Sequence, residues 1–398
     1  MKVIQINNVC GTGSTGKICV SLSKLLTQKS IDNQIIYFRG RSDYQNSKKL
    51  LFDGYYKLQA LKSKIFGNYG FNSKLATKKL ISIIENYKPD IVHIHNIHAH
   101  NLHLRLFFNY LKKSGIKVVY TFHDCWAFTG YCVHFSACGC NKWANECKHC
   151  VLRRRYSWLF DRSHRNFDKK KMFLENVNMS IVTPSNWLNN LVRKSFLNKK
   201  DVFTINNGID LNIFRPMESN FRKEHKISSN EFMLLGVSSC WSVLKGIDTF
   251  ISLSSLLPKN YRIVLVGIDK DLKKKLPDNI ICVDKTSNQE ELAKIYSAAD
   301  VFVNPTKEDV FPTVNIESIA CGTPVITFNY GGSPEIIDNS CGSVLELNDV
   351  DSLAAEIIRV CSTKTYTSSA CLKRASKYSS SAKFNEYIDL YKRILKVN

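Results

Sequence analysis

Two acidic residues, Glu308 and Asp309, follow a short apolar stretch, Asp300–Asn304, that has the pattern of a buried strand. Pro312 suits the first turn of a helix, because its missing N–H would have no acceptor there. Gly322 suits a left-handed cap at the end of the same helix. A helix N-terminus favours phosphate, and a carboxylate can hold a pair of sugar hydroxyls. The pattern therefore predicts a ligand that combines phosphate with a sugar, as a nucleotide-sugar does.

The same stretch resembles the donor-site signature of retaining glycosyltransferases of the GT-B fold, in particular family 4 (group 1) enzymes of the bacterial polysaccharide-biosynthesis type. The later parts of that signature are Glu317, Cys321-Gly322-Thr323-Pro324-Val325 and Gly331-Gly332-Ser333-Pro334-Glu335. The chain departs from the signature at its first acid. The residue eight positions before Glu317 is Asp309 rather than Glu, and Glu308 stands nine positions before. Either acid is therefore the candidate to contact the donor sugar.

The resemblance also implies roles for single residues. Glu317 is expected to hold the ribose hydroxyls, and Glu308 or Asp309 the sugar. Lys245 and the N–H groups of the first helical turn are expected to hold the diphosphate. The expected donor-binding set in this half of the chain is Lys245, Phe311, Thr313, Val314 and Glu317. The family usually has an arginine shortly before the lysine, whereas Trp241 and Ser242 stand there in this chain. No catalytic metal is expected, and Lys245 and the helix N-terminus are expected to offset the charge of the leaving group.

A glycine-rich loop, Gly11–Lys17, follows the first predicted strand and fits three templates. Its glycines match the dinucleotide fingerprint, but Arg39 stands where an acid is needed, which disfavours NAD and leaves NADP open. The loop also matches most of a P-loop, but Ile18 replaces the hydroxyl residue that binds magnesium. The third template, which we favour, is the first loop of GT-B enzymes. There Gly13 and Ser14 would line the interdomain cleft.

Histidines are concentrated near two further strand ends. Five of them lie within the eleven residues from His93 to His103. This suggests a metal site, but the segment also resembles the family's strand end that lines the acceptor cleft, which we favour. The run Thr121-Phe122-His123-Asp124 resembles another family motif. It implies that His123 lies near the donor sugar and orients it.

Six cysteines fall within the 26 residues from Cys125 to Cys150. In a cytoplasmic chain such clustering indicates metal binding rather than disulfides. Cys147 and Cys150 have the spacing of a zinc half-site, and we select Cys132 and Cys140 as the partner pair. An iron–sulfur cluster would use the same ligands, and free buried cysteines are the remaining alternative. We expect a structural role for the metal.

Composition sets the limits on the class of protein. A chain of 398 residues with 44% hydrophobic residues predicts two domains. No apolar run is long enough for a transmembrane helix, and the N-terminus has no signal-peptide core, so we expect a cytoplasmic protein. The net charge of +22 favours anionic partners, including the inner face of the plasma membrane. No nucleic-acid-binding module is recognisable, so no nucleic acid is expected.

We therefore expect an α/β protein of the GT-B fold, with two facing Rossmann-like domains and a cleft between them. Residues 1–207 form the acceptor-side domain with the Cys-rich insertion 125–150, residues 208–380 bind the nucleotide-sugar, and residues 381–398 form a terminal helix that packs back on the first domain. Residues 43–79 are expected to be an irregular insertion, and residues 218–230 a linker.

The expected reaction is transfer of a hexosyl or deoxyhexosyl group from a nucleotide-diphosphate sugar to a glycan or lipid-linked glycan, with retention, in cell-surface polysaccharide or lipopolysaccharide biosynthesis. The alternatives are an NADP-dependent oxidoreductase and a zinc-containing nucleic-acid-binding protein.

Overall fold

The structure is a computed structural model that describes residues 1–98, 100–135 and 138–396. The chain forms two compact units. Unit 1 comprises Met1–Asn206 together with the C-terminal residues from Lys383 on, and unit 2 comprises Asn207–Ala382. Within the described residues, no helix combines the length and the apolar character needed to cross a membrane.

Unit 1 contains a seven-stranded parallel sheet with the strand order β3-β2-β1-β4-β5-β6-β7. The strands are β1 Lys2–Asn7, β2 Asp32–Tyr37, β3 Ser47–Lys49, β4 Ile91–Ile94, β5 Lys117–Thr121, β6 Met179–Thr183 and β7 Val202–Thr204. The helices are α1 Gly13–Gln28, α2 Asp53–Phe66, α3 Lys74–Tyr87, α4 Leu104–Ser114, α5 Arg153–Tyr156, α6 Ser163–Leu174 and α7 Asn186–Lys194.

Unit 2 contains a six-stranded parallel sheet with the strand order β10-β9-β8-β11-β12-β13. Its helices and strands are α8 Phe221–Glu224, β8 Phe232–Val237, α9 Ile247–Leu256, β9 Tyr261–Val266, α10 Lys270–Lys273, β10 Ile280–Val283, α11 Gln289–Ala298, β11 Val301–Asn304, α12 Thr313–Ala320, β12 Val325–Phe328, α13 Ser333–Ile336, β13 Gly342–Leu345, α14 Val350–Thr363 and α15 Ser368–Ala375. The last helix of the chain is α16 Ser380–Lys396.

Both sheets have the order of a doubly wound fold, in which the chain reverses direction across the sheet between the first and fourth strands. The central strands of unit 2, β8, β11 and β12, are buried on both faces. Leu235 and Phe302 face one hydrophobic cluster, whereas their neighbours Leu234 and Val301 face the other. This alternation follows from the two-residue period of a strand and explains why the strands are apolar throughout.

The terminal helix α16 contributes to the core of unit 1. Its residues Phe384, Tyr387 and Tyr391 are buried in one cluster with Val3 of β1 and Val119 of β5. The amphipathic spacing of these aromatic residues is that of one helical face. The end of the chain therefore helps to hold the first sheet together.

Two expectations about organisation are wrong. Residues 43–79 are not irregular but contain β3, α2 and the start of α3. Along the whole of α3, Ala76, Leu80 and Ile84 form a buried stripe between exposed lysines. Residues 218–230 are not a linker, because they lie within unit 2 and bury Phe221 and Ile227 in its core. Both segments contain many charged residues, and the few apolar residues that form their buried contacts were therefore not recognised as a helical or turn pattern.

Candidate functional site

The main candidate residues of unit 2 lie where its sheet reverses direction. Strands β8 and β11 are hydrogen-bonded neighbours, and their carboxyl ends open into two loops. The loop after β8 carries Lys245, and the loop after β11 carries Glu308 and Asp309. Ligands of doubly wound folds bind outside the carboxyl ends of the strands at this reversal. The local topology alone therefore brings a cation and two acids to the expected binding position.

The two loops are held together by backbone contacts. The N–H of Lys307 donates to the carbonyl of Leu244 over 2.9 Å, and the ammonium of Lys307 pairs with Asp248 at 2.6 Å. Gly246 has a φ of +76°, and a Cβ there would lie 2.5 Å from Pro305 Cγ. Only glycine permits this close approach, which explains why glycine follows Lys245 in the sequence.

Lys245 and Asp309 form an ion pair at the mouth of these loops. Lys245 Nζ lies 2.5 Å from Asp309 Oδ2, and both side chains are partly exposed. The second oxygen of Asp309 accepts from the N–H of Phe311 at 3.2 Å, and its carbonyl accepts from the N–H of Gly332 at 3.2 Å. In contrast, Glu308 is only 4% exposed. The two acids therefore differ in access to solvent, with Asp309 facing outward beside the lysine.

Helix α12 begins beside this pair. Pro312 is the N-cap rather than the first helical residue, so Thr313 and Val314 supply the first-turn N–H groups, which have no acceptor within the helix. Glu317, partly exposed, follows on the same helix and accepts from the hydroxyl of Tyr296 at 3.3 Å. Gly322 ends the helix with a φ of +83°, as the sequence predicts.

The side chain of Phe311 has a different environment from the other expected donor-binding residues. It is 3% exposed and lies in the hydrophobic core of unit 2, where its ring packs edge-on against that of Tyr378 at 5.8 Å. Phe311 therefore attaches the loop after β11 to the hydrophobic core of unit 2.

A buried polar network, which the sequence reasoning missed, fixes α12 against the neighbouring strands. Asn315 accepts from the amide of Asn304 at 2.7 Å and donates to the hydroxyl of Ser333 at 2.9 Å. That hydroxyl lies 2.7 Å from the hydroxyl of Thr327. Asparagine between Val314 and Ile316 is the sequence signal, because a buried amide requires partners.

No arginine takes part in the site at the position before Lys245. Trp241 stands there, with its indole N–H donating to the carbonyl of Val266 at 2.9 Å and its ring packed edge-on against Phe250. Trp241 thus fills a structural position, and Lys245 is the cation that this loop directs toward Asp309.

In unit 1, the glycine-rich loop also follows a strand at the reversal of its sheet, since β1 pairs with both β2 and β4. Gly11 and Gly13 have positive φ values, and the N–H of Gly11 donates to the carbonyl of Gly16 at 3.1 Å. Gly13 and Ser14 are exposed at the start of α1. The loop therefore presents backbone to solvent.

His123 follows β5 and is linked to a buried chain of polar side chains. Its Nε2 lies 3.1 Å from Nδ1 of His95, whose Nε2 lies 3.2 Å from Oε1 of Gln5. Burial lowers the pKa of His123 to about 4, and Asp124 opposes that shift. Burial also lowers the pKa of His95, with His93 and His123 adding to the effect. Both rings are therefore neutral near pH 7.

The expectation that His93 and His95 line an open cleft is wrong, because both side chains are fully buried. His93 lies 2.6 Å from the hydroxyl of Tyr391 through Nδ1 and 2.8 Å from the hydroxyl of Thr121 through Nε2. These contacts tie the terminal helix α16 to the strands that precede His123.

The four cysteines proposed as metal ligands lie close together in unit 1. The side chains of Cys132, Cys140, Cys147 and Cys150 line one cavity. None of these cysteines forms a disulfide. In the described part of the chain, no three or more histidine, cysteine, aspartate or glutamate side chains already form a metal-binding group.

Comparison with known proteins places this geometry in a family. Residues 16–213 match the model described as Glycosyltransferase Family 4, and residues 217–380 match that described as Glycosyl transferases group 1. The chain is 20% identical to the putative colanic acid biosynthesis glycosyl transferase WcaC of Escherichia coli K12, over 99% of this chain and 100% of WcaC.

Two solved structures share the GT-B architecture of paired Rossmann-like domains. Sucrose-phosphate synthase from Thermosynechococcus elongatus aligns with a TM-score of 0.74 at 16% identity, over 100% of both chains. Anabaena HepE in complex with UDP-glucose aligns with a TM-score of 0.71 at 14% identity, over 99% of this chain and 100% of HepE. At these identities the likeness concerns the fold.

Proposed function

The chain belongs to the group 1 glycosyltransferases of family 4, and on that premise we propose that it transfers a sugar from a nucleotide-diphosphate sugar to a hydroxyl of a glycan or lipid-linked glycan, with retention of anomeric configuration. The acceptor class follows from the similarity to WcaC, which is described as a colanic acid biosynthesis enzyme. The proposed pathway is accordingly the synthesis of a cell-surface polysaccharide. HepE binds UDP-glucose, which makes a uridine donor the first to test.

The observation that carries the proposal is the ion pair between Lys245 and Asp309 at the N-terminus of α12. A diphosphate placed there would meet the Lys245 ammonium together with the N–H groups of Thr313 and Val314. Glu317, about one turn further along the helix, would accept from the ribose hydroxyls. Asp309 or Glu308 would hold the sugar.

The proposed chemistry needs no protein nucleophile. The acceptor oxygen forms a bond to the anomeric carbon on the face from which the diphosphate departs, and the departing diphosphate takes the acceptor proton. Lys245 and the helix N-terminus stabilise the negative charge that develops on the leaving group. The remaining contribution of the protein is to position donor and acceptor.

A panel of nucleotides tests this proposal through thermal stability. A nucleotide that binds only the folded chain raises its melting temperature, so we expect one of UDP, GDP and ADP to stabilise the wild type. Glu317→Ala should lose that stabilisation. Glu290→Ala, an exposed glutamate of α11, should keep it. Stabilisation by NADP alone would overturn the transferase assignment.

We further propose that unit 1 contacts an anionic membrane through a basic–aromatic patch, defined here as Leu58, Leu61, Phe66, Arg154, Arg155, Trp158, Leu159 and Phe160. All of these side chains are exposed. The N–H of Trp158 donates to the carbonyl of Lys64 at 2.7 Å, so the loop and the end of α2 adjoin. Aromatic residues at the headgroup level and arginines facing anionic lipid are the expected features of such a surface.

Sedimentation with vesicles tests the membrane contact. Vesicles containing phosphatidylglycerol should bring down the wild type, and neutral phosphatidylcholine vesicles should not. The double variant Arg154→Glu/Arg155→Glu should remain in the supernatant. The variant Lys112→Glu/Lys113→Glu makes the same charge change on exposed residues of α4 and should still bind. Equal loss in both variants would contradict a localised patch.

A further inference from the structure

The segment from Cys125 to Arg162 folds with little regular structure. Its described residues include the short 3-10 turns Trp126–Phe128 and Lys142–Ala144 and the four-residue helix α5. Nevertheless Tyr131 and Trp143 are buried within it. A loop of this length without regular structure is uncommon in a compact domain. Aromatic packing, such as that of Phe135 on Trp143, helps to order it, and the cysteine sulfur atoms are the groups that would add a cross-link.

Four of these sulfur atoms surround one small space. Cys132, Cys140, Cys147 and Cys150 line a cavity of about 20 Å³. This volume is enough for a single water-sized atom or ion. Much of the remaining lining is aromatic, including Tyr131, Phe135 and Trp143. The other lining residues are Thr129, Lys142, Lys148 and Ser163. Four cysteine side chains at one cavity suit a soft metal such as zinc.

One of these sulfur atoms also has a local contact of the kind found at thiolate ligands. Cys147 Sγ accepts from the N–H of Gly130 at 3.3 Å, and such N–H donors stabilise thiolates that bind a metal. Cys138 is different, because its thiol donates to the carbonyl of Phe135 at 3.0 Å and it does not line the cavity.

A buried cation provides an independent observation. Lys170 of α6 is completely buried, and its ammonium donates to the carbonyls of Trp126 and Thr129 at 2.6 and 2.9 Å. Burial lowers the pKa of Lys170 well below its usual range, and the nearby groups Cys147, Asp124 and Cys132 act in the opposite direction. A buried amine keeps its proton more readily beside negative charge. Four thiolates around a divalent ion carry two net negative charges and would add to the charge of Asp124.

We propose that Cys132, Cys140, Cys147 and Cys150 bind one zinc ion in tetrahedral geometry and that this ion orders the loop packed against α6. The four thiols release their protons to solvent as four Zn–S bonds form, with no change of oxidation state. Since these side chains do not yet form a metal-binding group, binding requires rotation about cysteine χ1 bonds. A closed set of four protein ligands makes the site structural rather than catalytic.

Elemental analysis of the full chain, purified with a tag that binds no metal, tests the proposal. We expect about one zinc per chain in the wild type and in Cys138→Ser, the control within the same segment. Cys240→Ser, an exposed cysteine of unit 2, should also retain zinc. Cys147→Ser and Cys150→Ser should lose it. A metal-free wild type, iron with sulfide in place of zinc, or zinc retained by both ligand variants would overturn the proposal.

If the ligand variants fail to fold, two measurements on the wild type still test the zinc site. Titration with an organomercurial should release zinc in step with the blocking of four thiols, and cobalt substitution should give the visible absorption of tetrahedral Co(II)–thiolate. Zinc release without thiol modification, or an octahedral cobalt spectrum, would reject the site. None of these readouts depends on sugar transfer, so a failure here is distinct from a failure of the proposed activity.

Discussion

Nε2 of His123 and Nδ1 of His95 lie 3.1 Å apart, and the surrounding contacts determine which of the two nitrogens is the hydrogen-bond donor. The amide nitrogen of Gln5 donates to the carbonyl of Cys19 at 3.2 Å, so Oε1 of Gln5 faces His95 and accepts from its Nε2–H. Nδ1 of His95 is then an acceptor, and Nε2–H of His123 is the donor. This leaves Nδ1 of His123 as an acceptor for a ligand. Gln5 thus acts as a positioning residue for His123.

Gln5→Met tests this relay. The variant removes the acceptor for His95 and leaves a buried donor without a partner, which should lower the free energy of unfolding by about 1–3 kcal/mol. Sugar transfer should fall as well, and the ¹⁵N chemical shifts of His95 should lose the Nε2–H signature. Gln28→Met, an exposed glutamine at the end of α1, is the control. The relay is refuted if the two variants behave alike.

Acid sensitivity should follow from the buried histidines. Because burial lowers the pKa of His123 from 6.5 to about 4, the unfolded chain binds more protons than the folded chain between these values. The contribution of His123 to the free energy of unfolding should therefore be fully present above pH 6.5 and be lost as the pH falls toward 4. This contribution is roughly 3 kcal/mol. Denaturant titrations at several pH values measure the slope.

His123→Gln should make that slope shallower without abolishing it, because burial also lowers the pKa values of His93 and His95. His164→Gln serves as the control, since His164 lies on the surface beside Glu146 and Asp168. An unchanged slope in His123→Gln would show that this ring does not titrate as the structure requires.

Much of the fold and of the site in unit 2 is visible in the sequence, for physical reasons. Strands buried on both faces give continuous apolar runs, and the glycines and prolines around Glu317 mark loop and helix ends that few other residues permit. Gly246 and Gly322 are examples, because both have positive φ values. Such positions reveal backbone geometry directly.

Other features depend on contacts that are distant in sequence. Gln5 and His95 are 90 residues apart, and no local pattern predicts that they meet. Lys170 lies in the middle of a lysine triplet that suggests a solvated face, yet it is buried. The network around Asn315 was missed for the same reason, because tertiary packing decides which polar residues turn inward.

Gly331 offers a test of how the site loop is held. It has a φ of +64°, and a Cβ there would overlap with the carbonyl oxygen of Asp309. Gly331→Ala should lower the free energy of unfolding by roughly 3 kcal/mol, from the positive φ and the clash together. Gly115→Ala has the same strain at a φ of +68° but no neighbour within 4 Å. It should cost about 1 kcal/mol and leave nucleotide affinity intact, unlike Gly331→Ala.

Opposite changes in nucleotide affinity are expected from the two partners of the ion pair in unit 2. Lys245→Met removes a charged donor to the diphosphate, and the loss of about 1.5–3 kcal/mol corresponds to roughly 10- to 150-fold weaker binding of the nucleoside diphosphate. Asp309→Asn removes a carboxylate that competes for Lys245 and repels the anion. It should therefore tighten binding while sugar transfer falls.

Isothermal titration with the nucleoside diphosphate and a donor-turnover assay distinguish these effects. Lys274→Met, an exposed lysine of the same unit, should leave both affinity and turnover unchanged. Glu308→Gln is compared with Asp309→Asn. Of these two variants, the one that neutralises the acid holding the sugar should reduce turnover more strongly. If Lys245→Met and Asp309→Asn shift the affinity in the same direction, the ion pair does not compete with the diphosphate, and the donor must bind elsewhere on unit 2.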